Sequence, residues 1–270
     1  MVAVRTLTLA IAVLAAVAGC SVNATVPASA GGGSAAGDGA QRLRVQVIEV
    51  RPHDRSSFTQ GFELVDGVLY EGTGLVGQSA VLATDPVTGA VRQRVNLPAP
   101  LFGEGITVVG PRIWQLTWRD GVAIERDRAT LAELRRVRYP GQGWGLCNDG
   151  SRLVMSDGSD RLQFRSLTTF ELLGEVRVRL GGESVDELNE LECAGGAVWA
   201  NVWHTDRIVR IDPSSGAVTA VVDATGLLAQ HGNPAGADVL NGIAAVPGGT
   251  QFLITGKLWP NTFLVQFVPA

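Results

Sequence analysis

Histidine and cysteine are scarce in this sequence, with three of each among 270 residues. His53, His204 and His231 are scattered along the chain, and neither an HExxH motif nor a paired-cysteine spacing accompanies them. Zinc sites in proteins are usually built from closely spaced His and Cys ligands. We therefore expect no catalytic zinc, and no motif in the sequence points to another cofactor.

Runs of basic residues are also absent, and the formal net charge is -4. Nucleic-acid-binding domains usually concentrate Lys and Arg on one face, so no nucleic acid partner is expected. From Arg42 onward the sequence also lacks a convincing amphipathic helical period. What it contains instead is short apolar runs separated by turn residues, which are typical of strands.

The first twenty residues have the pattern of a bacterial export signal. Arg5 supplies a positive charge, residues 6–18 are apolar, and small residues precede Cys20. The apolar stretch is short for a transmembrane helix. Because the residues before Cys20 resemble a lipobox, Cys20 is predicted to be lipidated and to hold an exported domain at the cell envelope. An ordinary cleaved signal is the alternative.

Two regions follow the predicted signal at residues 1–20. Residues 21–41 are rich in Gly, Ser and Ala without an apolar period, which predicts a flexible tether. Residues 42–270 are enough for one domain with a substantial core. In this domain Cys147 and Cys193 could form a disulfide in an oxidising compartment or remain buried free thiols, and the sequence favours free thiols.

Five segments of the domain share one pattern, in which a special residue precedes Gly or Glu and then an apolar residue. The segments are FTQGFEL, FGEGITV, QGWGLCN, ELNELEC and VLNGIAA, and the special residues are Gln60, Glu104, Trp144, Asn189 and Asn241. Their spacings of 44, 40, 45 and 52 residues form a loose period. After each segment a Gly-bearing turn leads into another short apolar run, which indicates a hairpin.

Repeats of roughly 40 to 50 residues with about four strands each are typical of β-propellers. We therefore predict an all-β, five-bladed β-propeller. The last repeat contains only three strands, whereas RVQVIEV at residues 44–50 is left over. The N-terminal strand is predicted to join the last blade and close the ring, which removes an open edge. An antiparallel sandwich is the alternative, but it does not explain the register of the repeats.

The special residues are expected to form a ring around a narrow central channel, because the first strand of each propeller blade lines that channel. The same register predicts a second ring near the mouth, formed by Gly74, Trp118, Gly158, Trp203 and Lys257. The two glycines are expected to leave room on one side. Such a funnel could hold a few polar groups against an apolar wall.

Each of these residues could also have a purely structural role. The tryptophans could pack between blades, and the amide side chains could bond to nearby backbone. Glu104 is harder to explain in this way, since a channel-facing carboxylate with apolar flanks costs free energy unless it has a partner. Glu190 and Glu192 flank Asn189, and we expect them to brace loops without taking part in chemistry.

Eleven motifs carry a resemblance to a known family, in the order FTQGFEL, LYEGTGL, FGEGIT, RIWQLTW, GWGLC, MSDGS, LNELE, VWANVW, IVRIDP, LNGIA and TGKLWP. They extend from Phe58 to Pro260, nearly the whole domain. The sequence resembles the glutaminyl cyclases of the plant and bacterial type. This resemblance implies a five-bladed propeller that converts an N-terminal glutamine of a peptide into pyroglutamate and releases ammonia. It implies no catalytic metal and leaves a structural ion in the channel open.

The resemblance implies that nine residues matching the family motifs form the site, and the chemistry of the reaction leads to a hypothesis for the role of each. Glu104 would be the catalytic proton shuttle, with its flanking glycines allowing close approach of the substrate. The substrate-binding residues would be Phe58, Gln60, Phe102, Trp118, Trp144, Asn189, Trp203 and Lys257. The aromatic rings would fold the glutamine side chain toward its own amine. Gln60, Asn189 and Lys257 would bind carbonyl groups or the developing oxyanion.

Two other classes of function are compatible with a propeller. One is a non-catalytic envelope lipoprotein that binds a glycan or a protein, although a binder would not need a proton shuttle. The other is a lactonase-like hydrolase, whose site would gather several carboxylates, Asn and His around calcium.

The expected partners are peptides or proteins with an N-terminal glutamine. A monomer is expected, because a closed propeller does not need a partner subunit.

Overall fold

The computed structural model describes residues 39–232 and 234–270. The predicted export signal with Cys20, and nearly all of the predicted tether at 21–41, lie outside the described residues. The first strand begins at Gln41, next to the predicted start of the domain at Arg42.

Within residues 39–232 and 234–270, no helix has the length and apolar character needed to cross a membrane.

The described residues form an all-β fold of 22 strands without an α-helix, with one short 3-10 helix at Ala229–His231. The first strand, β1, covers Gln41–Pro52.

Three antiparallel four-stranded sheets follow β1 in chain order. The strands of the first are β2 (Thr59–Val65), β3 (Val68–Thr73), β4 (Ala80–Thr84) and β5 (Val91–Asn96). Those of the second are β6 (Gly103–Val109), β7 (Arg112–Thr117), β8 (Val122–Asp127) and β9 (Glu133–Arg138). Those of the third are β10 (Leu146–Asn148), β11 (Leu153–Met155), β12 (Arg161–Arg165) and β13 (Leu172–Arg177).

The second half of the chain begins with a small hairpin and continues with two larger groups of strands. The hairpin strands are β14 (Arg179–Leu180) and β15 (Glu183–Ser184). The first group is β16 (Leu188–Ala194), β17 (Ala197–Val202), β18 (Arg207–Ile211) and β19 (Val218–Asp223). The second is β20 (Leu240–Ala245), β21 (Gln251–Gly256) and β22 (Asn261–Pro269). The second group has three strands, as predicted for the last repeat.

Strand β1 supplies the neighbour that the last group lacks. It pairs antiparallel with β22 from Leu43 to Pro52, and its first residues also pair in parallel with β19. The two groups are thereby joined into one eight-stranded sheet in the order β16-β17-β18-β19-β1-β22-β21-β20. One edge of β1 is therefore paired along most of its length, and the other is paired over Gln41–Arg44, which leaves less open strand edge.

The fourth strand of each four-stranded sheet is the most exposed. Strands β4 and β6 are wholly or almost wholly buried, whereas β9 is exposed at all but one residue and β5 and β13 alternate between exposed and partly buried residues. This alternation has the period of two expected for a strand with one wet face. The first strands also contact one another: β2 packs against β6 and β20, β10 against β6 and β16, and β16 against β20.

The hydrophobic core lies between neighbouring sheets. One cluster, for example, joins Trp114 of β7 and Tyr139 to Leu153 and Met155 of β11. Tight hairpins connect the strands, such as the turn at Asp66 and Gly67, whose backbone φ angles are both positive at 51° and 70°. Two successive positive φ angles are typical of a type I′ turn, which matches the twist of the flanking strands.

Cys147 and Cys193 form a disulfide, with their Cα atoms 5.4 Å apart. The expectation of free thiols was therefore wrong. The two cysteines are 46 residues apart in the chain, but they lie on β10 and β16, whose packing against each other brings them together. The bridge therefore ties together the first strands of two neighbouring groups.

Candidate active site

All nine residues predicted from the family motifs line one cavity of about 230 Å³. The cavity is lined by Phe58, Gln60, Phe102, Glu104, Trp118, Trp144, Asn189, Trp203 and Lys257. These side chains come from two kinds of position: the beginnings of the first strands, and the residues just after the second strands end. The structure thus brings the predicted site together, while the role of each residue stays a prediction.

Local breaks in the strand ladders explain how the polar residues face the cavity. The pairing of β2, β6 and β16 with their neighbours shifts register at Gln60, Glu104 and Asn189, and that of β20 shifts at Asn241. A β-bulge inserts an extra residue and re-aims its side chain. The pattern of a special residue followed by Gly or Glu therefore coincides with a bulge in four of the five repeats, whereas the pairing of β10, which follows Trp144, is regular.

Aromatic rings form most of the cavity wall. Phe102 contacts Phe58 edge-on at 6.2 Å between ring centroids and Trp118 at 5.4 Å, and Trp144 meets Trp203 edge-on at 5.3 Å. Edge-to-face pairs at these distances are favourable beyond the area that they bury. At the exposed side, the guanidinium of Arg119 stacks over Trp118, 3.8 Å from the ring centroid.

The glycines of the predicted second ring make room for these aromatic rings. A Cβ atom on Gly74 would lie 2.4 Å from Phe102, and one on Gly158 would lie 2.7 Å from Trp144. Distances this short between carbon atoms would force the rings to move. The space beside both glycines is therefore taken by side chains of the site and is not left open as expected.

The glycines beside Glu104 are explained by packing between the first strands. A Cβ on Gly103 would lie 2.6 Å from the carbonyl oxygen of Thr73, and one on Gly105 would lie 2.5 Å from that of Trp144. The Gly105 amide also donates a 2.7 Å hydrogen bond to the Trp144 carbonyl. Backbone therefore fills the space around these glycines, and the expectation that they admit the substrate was wrong.

Glu104 is the only carboxylate among the cavity-lining residues, and it is 4% exposed. Burial raises its pKa well above the ordinary value, and the positive charge of Lys257 counteracts part of that shift. The Gln60 side chain donates a 2.9 Å hydrogen bond to Glu104 Oε1. A carboxyl in this environment can hold or release a proton closer to neutral pH than an exposed one.

Lys257 is the cation of the cavity and is also 4% exposed. Burial lowers its pKa, while Glu104 and Asp238 act in the opposite direction. Its ammonium lies 4.8 Å from the ring centroid of Phe58 and 5.8 Å from that of Trp203. Both distances are within the range of cation–π attraction, which offsets part of the cost of burying the charge.

The buried amide side chains divide between lining the cavity and supporting it. Asn189 lines the wall, and its Oδ1 is buried without a hydrogen-bond partner. Gln60 also lines the wall but already donates to Glu104. Asn241, the fifth residue of the predicted inner ring, lies outside the lining set and donates through Nδ2 to Gln60 Oε1 at 3.2 Å.

Glu190 and Glu192 brace the first strands, so the expectation that they brace loops was wrong. The Glu190 carboxylate accepts hydrogen bonds from the backbone amides of Phe62 in β2 and Ile243 in β20. Glu192 accepts one from the amide of Ala245. Burial, followed by the charge of Glu192, raises the pKa of Glu190, while the two amide donors lower it.

One buried pair near the site had no signal in the sequence. His53 lies 3.1 Å from Glu71, and its other ring nitrogen lies 2.7 Å from the Trp259 carbonyl oxygen. Glu71 also accepts a 2.7 Å hydrogen bond from the Thr59 hydroxyl, next to Gln60. Burial lowers the pKa of His53, but Glu71 and the Trp259 carbonyl raise it by more. The pair ties the segment after β1 to segments that carry cavity residues.

A cluster of three or more His, Cys, Asp or Glu that could hold a metal ion does not occur in the part of the chain that the structure describes.

Comparisons with known proteins agree on one family. The family model for glutamine cyclotransferase matches residues 11–267. The chain is 36% identical over 231 residues to a glutaminyl-peptide cyclotransferase of Arabidopsis thaliana, an overlap that covers 84% of this chain and 72% of that protein. The crystal structure of the Myxococcus xanthus glutaminyl cyclase matches with a TM-score of 0.79 and 37% identity, over 86% of this chain and 99% of that one. The chain therefore belongs to the glutamine cyclotransferase family.

Proposed function

We propose that this glutaminyl-peptide cyclotransferase closes the N-terminal glutamine of a peptide into pyroglutamate in the nine-residue cavity, with Glu104 moving the proton. The family match and the names of the two relatives support the reaction. The observation that carries the mechanism is one buried carboxyl of raised pKa among aromatic rings and one ammonium.

The reaction is an intramolecular aminolysis. The α-amine nitrogen attacks the side-chain carboxamide carbon, a five-membered ring closes, and the carbon–nitrogen bond to the amide nitrogen breaks to release ammonia. The free amine is available near neutral pH because its pKa is about 7.7 to 8.0. The amide nitrogen is a poor leaving group until it is protonated. Glu104 as carboxylate takes the proton of the attacking amine and returns it to the leaving nitrogen.

The other residues bind and orient the substrate. A cavity of about 230 Å³ with aromatic walls admits one side chain and holds it folded toward its amine, which lowers the entropic part of the barrier. Lys257 donates to the carbonyl oxygen as it gains negative charge. The unpaired Oδ1 of Asn189 accepts from an N–H group of the substrate.

The fold that positions this cavity is a five-bladed β-propeller in this proposal, with β1 closing the ring in the last blade. The five groups of strands, the contacts among the first strands and the pairing of β1 with β22 support it. Lipid anchoring at Cys20, export to the cell envelope, the lack of a cofactor and a monomeric state are further parts of the proposal, and they rest on the sequence.

A peptide panel tests the proposed reaction. The full chain should release ammonia from a peptide that begins with Gln. It should release none from the same peptide with an acetylated amine, which cannot attack, or from one that begins with Asn, because its ring would be one atom smaller and strained. Binding of the Gln peptide without ammonia release would favour the non-catalytic binding protein instead.

Replacing Lys257 should change the pH dependence of the reaction. The charge of Lys257 holds the pKa of Glu104 below the value that burial alone would give. Lys257→Met should therefore move the acid limb of kcat/KM to higher pH and reduce its plateau by about 10²-fold through the lost oxyanion donor. Lys257→Arg keeps a cation as the control. An acid limb at the same pH in Lys257→Met would show that the two charges are not coupled.

A further inference from the structure

We infer that Asn241 is a positioning residue for Glu104, an inference that rests on the proposed function. Its side chain fixes the orientation of the Gln60 amide that contacts the catalytic carboxyl. Asn241 shares the register of the cavity residues Gln60, Glu104 and Asn189, but it does not line the cavity, and nothing in the mechanism above uses it.

A chain of directed hydrogen bonds leads from the backbone to Glu104. Asn241 is fully buried, and its Nδ2 donates to the Thr59 carbonyl oxygen at 2.9 Å and to Gln60 Oε1 at 3.2 Å. Gln60 Nε2 in turn donates to Glu104 Oε1 at 2.9 Å. Both N–H groups of the Asn241 amide are thus used on acceptors.

The direction of this chain is fixed at its backbone end. A carbonyl oxygen can only accept, so the Asn241 amide must turn its NH₂ group toward Thr59. That same NH₂ group also faces the Gln60 side chain, so Gln60 must present its Oε1 as the acceptor. The NH₂ group of Gln60 is then left to face Glu104. An inverted Asn241 would place its Oδ1 against the Thr59 oxygen, and the two lone pairs would repel each other.

The Asn241 side chain carries an energetic cost in this arrangement. Its Oδ1 is buried without a hydrogen-bond partner. A buried acceptor in that state is unfavourable compared with an apolar side chain of similar size. The amide is therefore poorly explained by packing alone, and its two N–H groups are the part of the side chain that the structure uses.

The orientation of Gln60 matters for the chemistry of Glu104. A donor aimed at Oε1 favours the carboxylate and leaves Oε2 as the oxygen that takes and returns the proton. If the Gln60 amide were inverted, its oxygen would accept a hydrogen bond from a protonated Glu104. The proton would then be held on Oε1, away from the Oε2 atom that exchanges it with the substrate. The titratable side chains coupled to Glu104 are Lys257 and Tyr139, and neither changes in the variants below.

Kinetics of Asn241→Leu in the full chain provide the first test. Loss of the donors should allow Gln60 to invert and should reduce kcat about 10-fold, the effect of one hydrogen bond to a charged group. KM should change little, since Asn241 does not line the cavity, and the acid limb should move to higher pH. The matched control is Asn148→Leu, which removes another side-chain amide that donates to a backbone carbonyl, that of Val108, and has no hydrogen bond to Gln60 or to the residues beside Asn241.

A double-mutant cycle separates positioning from general loss of structure. If Asn241 acts through Gln60, then Asn241→Leu should have little further effect on kcat in a Gln60→Leu background. Full additivity of the two changes, or an equal loss in Asn148→Leu, would overturn the inference. Should Asn241→Leu not fold, Asn241→Ser offers at most one donor for the two acceptors and takes its place.

A titration of Glu104 tests the inference without relying on turnover. Carbon-detected NMR of labelled glutamate carboxyls, assigned with Glu104→Gln, should show the Glu104 midpoint at higher pH in Asn241→Leu than in the parent. An unchanged midpoint would contradict the inference even if the parent is active. Absence of ammonia release by the parent would count against the proposed function alone, because the titration would still decide the role of Asn241.

Discussion

Glu104→Gln is expected to reduce turnover of a Gln-first peptide by about 10²- to 10⁴-fold, the usual contribution of a positioned acid or base. The amide has the same shape as the carboxylate and can still accept the hydrogen bond from Gln60. It cannot take the amine proton. Steady-state rates of ammonia release measure the loss, and peptide affinity should change much less than kcat.

Glu192→Gln is the matched control for this result. Glu192 is also a buried carboxyl with a raised pKa, but it accepts from the Ala245 amide and does not line the cavity. Its amide variant should retain nearly full activity if it folds. Equal losses in both variants would mean that the effect comes from the buried charge in general and that Glu104 has no special role.

Near neutral pH, the Glu104→Gln variant should be at least as stable to unfolding as the parent protein. Burial raises the pKa of Glu104 above its ordinary value of 4.5, so the folded state binds more protons than the unfolded state above that pH. Stability is therefore lost as pH rises toward the folded-state pKa. The amide that replaces the carboxyl cannot ionise, so thermal unfolding of the variant should depend less on pH. A variant less stable than the parent throughout this range would contradict the assigned pKa direction.

Removing the disulfide should have the largest effect on stability. Cys147 and Cys193 close a loop across a separation of 46 residues. In the chain-entropy description, a crosslink of this length stabilises the folded state by about 4 kcal/mol, because it restricts the unfolded chain. The double variant Cys147→Ser, Cys193→Ser should lose a large part of that amount in denaturant unfolding.

Reductant provides the internal control for the disulfide. The parent treated with reductant should shift its unfolding midpoint toward that of the double serine variant, while the variant itself should not respond. Because the bridge lies outside the cavity-lining set, both forms should keep turning over substrate at temperatures where they remain folded. A midpoint insensitive to both treatments would mean that the bridge does not stabilise the fold.

Much of the site could be predicted because the repeats share one register. Gln60, Glu104 and Asn189 hold the same place in three repeats, so a repeated local geometry brings them to one cavity. Trp118, Trp203 and Lys257 could be predicted because they hold equivalent positions at the ends of the second strands of their repeats. The family motifs added the remaining aromatic residues. The strands could be placed for a similar reason, since Gly-bearing turns recur at similar offsets from the special residues.

Other features depend on contacts between repeats, which the register does not describe. The direction of a side chain at a bulge decides whether it lines the cavity, and no pattern around Asn241 indicated that it would lie behind Gln60. The glycines beside Glu104 were assigned to the substrate because their backbone neighbours on other strands are distant in sequence.

The disulfide was the less favoured alternative in the sequence and the His53–Glu71 pair was not predicted, for the same physical reason. Each joins residues that are far apart in the chain or lie in different segments, and neither has a spacing motif. Cysteine pairing in particular depends on Cα atoms only 5.4 Å apart, a distance that no count along the sequence supplies.

The most direct test of the central claim is product analysis of one Gln-first peptide incubated with the full chain and, in parallel, with Glu104→Gln. The account predicts that the parent converts the peptide to its pyroglutamate form with one ammonia released per peptide, while the folded variant binds the peptide and leaves it nearly unchanged. Equal conversion by both proteins would contradict the role of Glu104, and binding without conversion by the parent would contradict the reaction itself.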